Sequence, residues 1–492
     1  MATDPISTKD VQEMQALIGS GFGTMRFSEY VLLDITCASE ARGWLQQVLP
    51  FIWTIGRLGP QKKYGMLFKD EREEAWSIAF THRGLARLGI VEDPQAPFPS
   101  EFRSGQADET RRKLLCEDPA VCWQWGDVPV WTGTPPHHAV SILVVRTHDG
   151  TSPRSNPLLD TSKLAACGLQ LVRRVHGSPD SLKTALSRGS AVTFVEEPFG
   201  FRDGMGQPKV RGLQGFRSGG DALEDEATVP LGEFVLGHPN AYGEASHCPE
   251  VLTRDKVPPD HSFGRNGCYL AVQQILQDVA AFWTFEADNP AAGNEPSVVE
   301  KMIGRRKDGR PLQVVPDALE LDDDFGFRMN DPHGFQCPVG AHIRRANPRD
   351  SVLDAGELRP EPGNLHRLLR RGRPFASTGA ADDRVPPAQP AAEVGMFFIA
   401  VVADLSRQFE FVKRAWIGNA RFGNLCGEVD PLLGRASGRH FTMPGHPTGS
   451  RVHALPDLTR TQGGGYFFMP ALGTLKRIAA GDYTTASEEG AC

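Results

Sequence analysis

The sequence predicts an α+β fold built in two halves. Apolar, β-prone runs are mixed with helical patterns, but without the regular βα alternation that a parallel sheet requires. Each half contains a strand followed by a helical pattern, and residues 196–259, rich in glycine, proline and charge, lie between the halves. The chain has 492 residues, which is too long for one ordinary core. We therefore expect two domains of mixed helix and strand.

The first half follows a lead-in segment that ends near Met25. Helical apolar spacing covers residues 41–54, interrupted by Pro50, and residues 83–88. The predicted strands cover residues 30–36, 76–81, 139–145, 169–175 and 191–195.

The second half repeats the order of strand and helix. A strand at residues 268–274 precedes a helical pattern at residues 278–285, and a strand at residues 395–402 precedes one at residues 406–416. Residues 463–470, which open with three glycines, form the last predicted strand. No repeat is visible in the residues themselves, so a duplicated architecture is a hypothesis.

Composition excludes several classes of protein. With 53 basic and 60 acidic residues the formal net charge is −7, which argues against non-specific binding to nucleic acid or anionic membranes. No apolar run approaches the roughly 18 residues of a membrane span, and the first residues lack the pattern of an export signal. The nine cysteines form neither a CxxC nor a CxxCH motif. We expect reduced thiols in a cytoplasmic protein.

One dense motif, residues 337–350, combines a histidine with several arginines. His342 stands among small and turn-forming residues, and Arg344, Arg345 and Arg349 follow within seven positions. Imidazole is a metal ligand, and clustered guanidinium groups bind carboxylates or phosphates. A haem needs both kinds of group, an axial ligand for iron and cations for its two propionates. Alone, however, such a histidine is more often structural, and the arginines could be ion-paired surface residues.

A second motif, residues 197–208, places Asp203 between glycines. Gly200 and Gly204 let the backbone turn tightly and approach a flat ligand. A half-buried carboxylate in such a turn could move protons. An isolated Asp-Gly pair is nevertheless usually an ordinary turn.

The two motifs resemble those of the dye-decolorizing peroxidases. Residues 200–204 match the GxxDG motif of that family, and residues 337–349 are similar to the segment that carries its haem ligand. The resemblance extends from about residue 30 to about residue 472, and the inserts around residues 224–261 are similar to the longer branch of the family. Further similar segments occur in the family's order at residues 80–85, 264–270, 408–411 and 464–468.

The resemblance implies two ferredoxin-like α+β domains with antiparallel sheets, as in the dimeric α+β barrel superfamily, with haem held mainly by the second. We expect a lead-in segment at residues 1–24, a first domain at residues 25–205 and a second domain at residues 206–492. The resemblance also implies one haem b per chain, and hydrogen peroxide and an aromatic or dye-like donor as reaction partners. Nucleic acid and membranes are not expected as partners, and both a monomer and a homodimer remain open.

On the proximal side, the resemblance implies that His342 is the iron ligand. Asp430 is similar to the carboxylate that holds the other imidazole nitrogen in the family, which makes the ligand more basic. Arg345 would pair with a haem propionate.

On the distal side, the resemblance implies Asp203 and one arginine. The distal arginine of the family lies shortly before a pair of proline and an aromatic residue, here residues 374–375, which aligns it with Arg370. The chain departs from the family's pattern by carrying Arg373 where an apolar residue is common. Arg371 is therefore an alternative.

The same resemblance assigns the remaining site residues. Met396 and Phe398 would line the distal pocket and keep water out, and Gly204 would let the backbone approach the haem. Asp203 would accept a proton from peroxide while the arginine stabilises the developing charge. Trp416 is a candidate electron relay for bulky donors, although a tryptophan on an amphipathic helix is more often part of the core.

The sequence thus predicts a haem peroxidase that oxidises bulky aromatic or dye-like donors in single-electron steps. A haem-binding storage or transport protein would keep His342 but would have no need of Asp203 and Arg370, whose presence favours the enzyme. A non-haem structural or interaction module is the other alternative, and it would show no Soret absorbance. A hydrolase is disfavoured because neither a GxSxG elbow nor a Cys/His signature occurs.

Overall fold

Ten of the strands that the computed structural model describes form one continuous sheet to which both halves of the chain contribute, and the other two, at residues 440–443 and 450–453, pair separately with each other. The predicted strand at residues 191–195 lies outside the residues that the structure describes. Those residues are 6–23, 25–58, 74–118, 121–128, 138–149, 155–177, 196–213, 228–253, 261–291, 295–313, 325–351, 362–377 and 393–483.

The elements follow the chain in an irregular mixture of strands and short helices. The strands are β1 (Phe27–Ile35), β2 (Glu74–Phe80), β3 (Trp125–Gly126), β4 (Ile142–His148), β5 (Leu169–Gly177), β6 (Cys268–Gln277), β7 (Leu369–Arg370), β8 (Arg373–Ser377), β9 (Glu393–Val402), β10 (His440–Met443), β11 (Ser450–His453) and β12 (Thr459–Met469). The α-helices are α1 (Thr8–Glu13), α2 (Ala16–Gly19), α3 (Ala38–Val48), α4 (Ile55–Leu58), α5 (His82–Arg87), α6 (Ser100–Ser104), α7 (Glu109–Leu114), α8 (Thr161–Ala165), α9 (Val279–Asp288), α10 (Val298–Ile303), α11 (His342–Ala346) and α12 (Leu472–Ala480).

The order of the strands reveals two copies of one topology. In the path β5–β1–β4–β2–β12–β6–β9–β7, the first half supplies the first four strands and the second half the other four. When β3 and β8, which pair beside this path, are left out, the strands of each half stand in the order fourth, first, third, second, numbered within their own half. Neighbours within each half are antiparallel, as in a ferredoxin-like domain. The predicted α+β fold is confirmed. The boundary predicted near residue 205 stays a prediction, since the strands of the two halves are separated by residues 178–267.

Side chains on the two faces of the sheet form two separate cores, because successive residues of a strand point to opposite sides. In β1, Val31 and Leu33 join one core, while Tyr30 and Leu32 join the other. A third core packs against α9 and α10 and contains Phe199, from the loop of the second sequence motif.

The chain departs from the predicted helices where local chemistry overrides apolar spacing. The helix expected over residues 41–54 ends at Val48, and Pro50 lies in a 3₁₀ turn, Leu49–Phe51, because proline cannot donate a helical hydrogen bond. The helix expected over residues 406–416 is π-helical, in two segments, Ser406–Glu410 and Val412–Ile417. The expectation that all cysteines are reduced is wrong for Cys37, which is in a disulfide.

The segment predicted as a lead-in carries a residue that ties the two halves together. The side chain of Gln15 is fully buried. Its Nε2 donates to the carbonyls of Ile78 and Pro470, both at 2.9 Å, and its Oε1 accepts from the Ile78 amide at 2.9 Å. One amide thus satisfies backbone groups within β2, from the first half, and just after β12, from the second.

Asp127 makes a similar connection through a buried carboxylate. Its Oδ2 accepts from the peptide N–H groups of Gln106 at 2.8 Å and Tyr466 at 2.6 Å, and its Oδ1 from Ala107 at 2.9 Å. Burial raises the pKa of Asp127 to about 7, against the lowering effect of these three donors.

Within the described residues, no helix combines the length and apolar character needed to cross a bilayer.

Two helical glycines allow a test of this packing. A Cβ on Gly84, in α5, would lie 2.1 Å from the carbonyl oxygen of Ser141, whereas one on Gly43, in α3, would meet no atom within 4 Å. We expect Gly84→Ala to destabilise the protein by about 1–3 kcal/mol through overpacking. Gly43→Ala should stabilise it by roughly 0.5–1 kcal/mol, since alanine favours a helix. Thermal unfolding of both variants would measure this, and equal shifts in one direction would contradict the packing described.

Candidate active site

A cavity of about 290 Å³ lies between the second half of the sheet, the loop of residues 197–206, α11 and the π-helical segments. Its wall is mainly apolar, with charged groups from distant parts of the chain. The lining residues that matter below are Glu197, Phe199, Phe201, Arg202, Asp203, Gln273, Gln277, Arg305, His342, Arg349, Arg367, Arg370, Met396, Phe398 and Lys413.

His342 is the first residue of α11, and its side chain is 26% exposed. Its Nδ1 lies 2.9 Å from Oδ2 of Asp430, a residue 88 positions later in the chain. No residue of the described chain bonds its Nε2, so this nitrogen is available as a donor of a lone pair to a ligand in the cavity. The structure therefore brings together the histidine and the carboxylate that the resemblance paired.

Asp430 is held rigidly behind that histidine. It is fully buried, and its Oδ1 accepts from the peptide N–H groups of Leu432 at 2.9 Å and Leu433 at 2.8 Å, which leaves Oδ2 for His342. Burial raises the pKa of Asp430, but the charge and hydrogen bond of His342, the Leu433 amide and Arg345 outweigh it, and the pKa lies below its ordinary value. An ionised carboxylate that faces Nδ1 fixes the orientation of the imidazole ring.

The placement of Arg345 does not fit the predicted contact with a propionate. Arg345 is fully buried and does not line the cavity. Its guanidinium donates to the carbonyls of Gly340 at 3.2 Å, Trp416 at 2.8 Å, Asn419 at 3.0 Å and Glu428 at 2.6 Å. Through these bonds the guanidinium holds the backbone just before His342 and the segment that precedes Asp430. We correct its role to that of a scaffold.

Other arginines reach the cavity instead. Arg349, from the same sequence motif, stacks over Phe325 at 3.8 Å and donates to its carbonyl at 3.0 Å. Arg367 donates to the carbonyl of Gly206 at 3.1 Å, and Arg305 to that of Gly309 at 2.9 Å. Each of these arginines lines the cavity, and its guanidinium donates to a backbone carbonyl that helps to fix its position.

Asp203 and Arg370 meet at another part of the wall. Nη1 of Arg370 lies 3.6 Å from Oδ1 of Asp203, and the side chains are 38% and 31% exposed. Nη2 of Arg370 also donates to the carbonyl of Met205. Gly200 and Gly204 have φ of +90° and +81°, a region that side-chain-bearing residues rarely adopt, so the loop that presents Asp203 requires them. Gly204 itself does not line the cavity.

The structure separates Arg370 from the alternative, Arg371. Arg371 points away from the cavity and donates to the carbonyls of Leu17 at 2.8 Å and Ile18 at 2.6 Å. Arg373, which departs from the family pattern, likewise binds carbonyls in residues 21–25. Both arginines therefore hold the lead-in segment against the second half of the chain, and only Arg370 of the three faces Asp203.

Four further residues of the two motifs and the second half differ in whether they line the cavity. Met396 and Phe398, two apart on β9, both line the cavity. Trp416 is 5% exposed and packs edge-on to Phe411 with a centroid distance of 5.3 Å, the surroundings of a core residue. Burial raises the pKa of the Cys337 thiol to about 12, which leaves it unreactive.

Several cavity residues were missed by sequence reasoning. Lys413 forms a buried ion pair with Glu117, Nζ to Oε1 at 2.8 Å, and Gln273 donates to the same oxygen at 3.1 Å. Glu197 lines the cavity beside the loop of Asp203, next to Gln277. Glu197 was visible as the first residue of the second motif, but the pattern carried no signal that its carboxylate faces inward.

The chain is similar in sequence to known peroxidases. A model of the family described as Dyp-type peroxidase, C-terminal, matches residues 231–433. A dye-decolorizing peroxidase from Mycena epipterygia is 27% identical over 450 residues, covering 82% of this chain and 76% of that protein. A multifunctional dye peroxidase from an Amycolatopsis strain is 28% identical over 425 residues, covering 82% of this chain and 81% of that protein.

Solved structures share the fold. The crystal structure of a fungal DyP-type peroxidase from Auricularia auricula-judae has a TM-score of 0.68 and 20% identity, and covers 97% of this chain and 100% of that one. A DyP-type peroxidase from Anabaena has a TM-score of 0.68 and 19% identity, over 96% of this chain and 97% of that one.

The corrected role of Arg345 can be tested without any cofactor. We expect Arg345→Met to lower the stability of the cofactor-free protein by about 3 kcal/mol or more, because buried carbonyls lose their donors. Arg414 is exposed on the neighbouring π-helical segment, so Arg414→Met should change stability by less than about 0.5 kcal/mol. Urea denaturation at pH 7 measures both. Equal stabilities for the two variants would return Arg345 to the list of ligand-binding candidates.

Proposed function

We propose that this chain is a dye-decolorizing peroxidase, which uses hydrogen peroxide to oxidise bulky aromatic or dye-like donors in single-electron steps at a haem b. The observation that carries the proposal is the convergence of two residue pairs on one apolar cavity. His342 with Asp430 supplies an oriented imidazole, and Asp203 with Arg370 supplies a carboxylate beside a cation.

The donor set of the cavity fits a haem better than a bare metal ion. Among the described residues, no group of three or more His, Cys, Asp or Glu side chains could hold a metal ion. A single imidazole suffices only for a metal that arrives with its own in-plane ligands, which is the case for iron in haem. The apolar wall suits the macrocycle, and the cations at the wall suit its two carboxylates.

We assign the residues that would hold the haem from their placement. His342 would bind iron through Nε2, while Asp430 keeps Nδ1 protonated and makes the ligand more basic. Arg349 and Arg367 are the candidates for the propionates in place of Arg345, since both line the cavity. When bound, the haem would supply the redox-active iron that passes the two oxidising equivalents of one peroxide to two donor molecules.

The chain's own residues would manage protons and charge at the peroxide. The carboxylate of Asp203 would accept the proton of one peroxide oxygen and return it to the other as water departs. Arg370, whose guanidinium is already oriented by the Met205 carbonyl, would stabilise the anionic peroxide and the charge that develops as the O–O bond breaks. Met396 and Phe398 would exclude bulk water from these groups.

A haem-binding storage or transport protein is the alternative function. Such a protein needs an iron ligand and partners for the propionates, but it gains nothing from a carboxylate and an arginine held 3.6 Å apart at the cavity wall. That pair favours the peroxidase.

The distal pair is tested by rapid mixing of the holoprotein with hydrogen peroxide. Asp203→Asn should slow the reaction roughly 10²–10⁴-fold, because the proton acceptor is lost, and Arg370→Leu about 10²–10³-fold, because the charge-stabilising donor is lost. Arg371→Leu should react like the wild type, since Arg371 binds carbonyls of the lead-in segment. A wild-type protein that binds haem but does not react with peroxide would support the storage or transport protein. If Arg371→Leu were the slow variant instead, the distal assignment would be wrong.

The iron ligand is tested by absorbance spectroscopy. We expect His342→Ala, purified after expression with excess haem, to retain far less haem and to show a displaced Soret band. His333 is exposed and lies nine positions earlier, so His333→Ala is the matched control and should keep the wild-type spectrum. A wild-type Soret band and haem content in His342→Ala would contradict the assignment.

A further inference from the structure

The carboxylate of Glu197 sits at the base of the loop that presents Asp203, and none of the roles described above uses it. Glu197 lines the cavity and is half-buried. It stands six positions before Asp203, and Phe199 and Phe201, which also line the cavity, lie between the two acids.

The loop folds around this carboxylate. Oε2 of Glu197 accepts from the peptide N–H of Phe199 at 3.0 Å, and Oε1 accepts from that of Phe201 at 2.9 Å. Backbone bonds close the same turn, from Glu197 N–H to the Phe201 carbonyl at 2.9 Å and from Gly200 N–H to the Glu197 carbonyl at 2.8 Å. Both carboxylate oxygens therefore serve peptide groups that have no helix or sheet partner.

Glu197 also joins the loop to the sheet. Nε2 of Gln277, at the end of β6, donates to Oε2 of Glu197 at 2.7 Å. The loop is also held by stacking of Phe199 on Phe282, with centroids 4.0 Å apart, and by a bond from Arg202 N–H to the Lys307 carbonyl at 2.9 Å. Among these contacts, the bond between Glu197 and Gln277 joins two side chains that both line the cavity.

The two acids of the loop interact electrostatically. Burial raises the pKa of Glu197 to about 7, against the lowering effect of its three N–H donors, and the negative charge of Asp203 adds to the rise. A negative charge on Asp203 therefore disfavours the ionised form of Glu197.

We propose that Glu197 is a positioning residue for Asp203: its carboxylate fixes the loop of residues 197–203 to β6 and thereby sets where the proton-accepting carboxylate stands. The inference rests on the proposed peroxidase function, in which Asp203 accepts the proton. This role differs from a general contribution to folding, because Glu197 acts on the reaction only through the position of the Asp203 carboxylate.

Glu197→Gln is the primary variant. The amide keeps the size of the side chain but turns one acceptor oxygen into an N–H donor, which then faces a peptide N–H or the Gln277 amide. Glu196→Gln makes the same chemical change one position earlier, at a side chain that does not line the cavity, and is the matched control. We expect amide hydrogen exchange at residues 199–203 to be at least tenfold faster in Glu197→Gln and unchanged in Glu196→Gln.

Cyanide binding to the ferric holoprotein supplies a second readout. Hydrogen cyanide loses a proton when it binds as an anion. In the proposed mechanism Asp203 accepts that proton, so the dissociation constant of cyanide depends on where the Asp203 carboxylate stands. We expect Glu197→Gln to raise that constant, measured with potassium cyanide, at least tenfold while haem content stays at the wild-type level. In an Asp203→Asn background the same substitution should have no further effect, because a residue that acts through Asp203 loses its influence when Asp203 is neutral.

Two results would overturn the proposal: wild-type exchange and cyanide affinity in Glu197→Gln, or an equal loss of cyanide affinity in the wild-type and Asp203→Asn backgrounds. Should Glu197→Gln fail to fold, Gln277→Leu takes its place, since it removes one donor and leaves the acid. Exchange and cyanide affinity that both match the wild type in Gln277→Leu would overturn the proposal as well. A wild-type holoprotein that binds cyanide but does not react with peroxide would refute the peroxidase function. Amide hydrogen exchange at residues 199–203 would still test whether Glu197 fixes the loop.

Discussion

Carboxylates that are shielded from water and accept peptide N–H groups hold this structure together where helices and strands do not. Removing a charge from water is costly unless hydrogen bonds replace the solvent. Asp430, Glu197 and Asp127 each meet that requirement with two or three N–H donors. Each acid is thereby locked to one conformation of an irregular segment. The chain can thus be rich in loops and still present its polar groups with fixed geometry.

Such carboxylates fix the backbone on two sides of the cavity. Behind His342, Asp430 is fixed by the amides of residues 432–433, and Arg345 holds the carbonyls of the segment that leads to it. Beside Asp203, the loop closes around Glu197. The β-sheet lines the cavity with the apolar side chains of Met396 and Phe398. The polar groups of the cavity stand mainly outside the sheet, on segments that these carboxylates hold in place.

Sequence reasoning predicted the fold class correctly, and the side chains that it paired lie close together in the structure. Its failures have physical causes. Apolar runs identified most strands because the sheet is buried on both faces. Arg345 was misassigned because three arginines within seven positions look alike, and only the carbonyls of a segment more than 70 positions away distinguish a scaffold from a ligand group. Glu197 was missed because its partners are mainly peptide N–H groups, which every residue but proline carries. The π-helical segments were predicted as ordinary helix, since their apolar spacing is similar.

The central position of the last strand has a consequence for biosynthesis. β12 lies between β2 and β6, and the amide of Gln15 bridges Ile78 and Pro470. A nascent chain therefore carries the strands of the first half before β12, which pairs with β2 through Phe80 and Phe468, has been made. Strand edges without their partners pair readily with other chains. We expect this protein to depend on chaperones during synthesis until β12 has joined the two halves of the sheet.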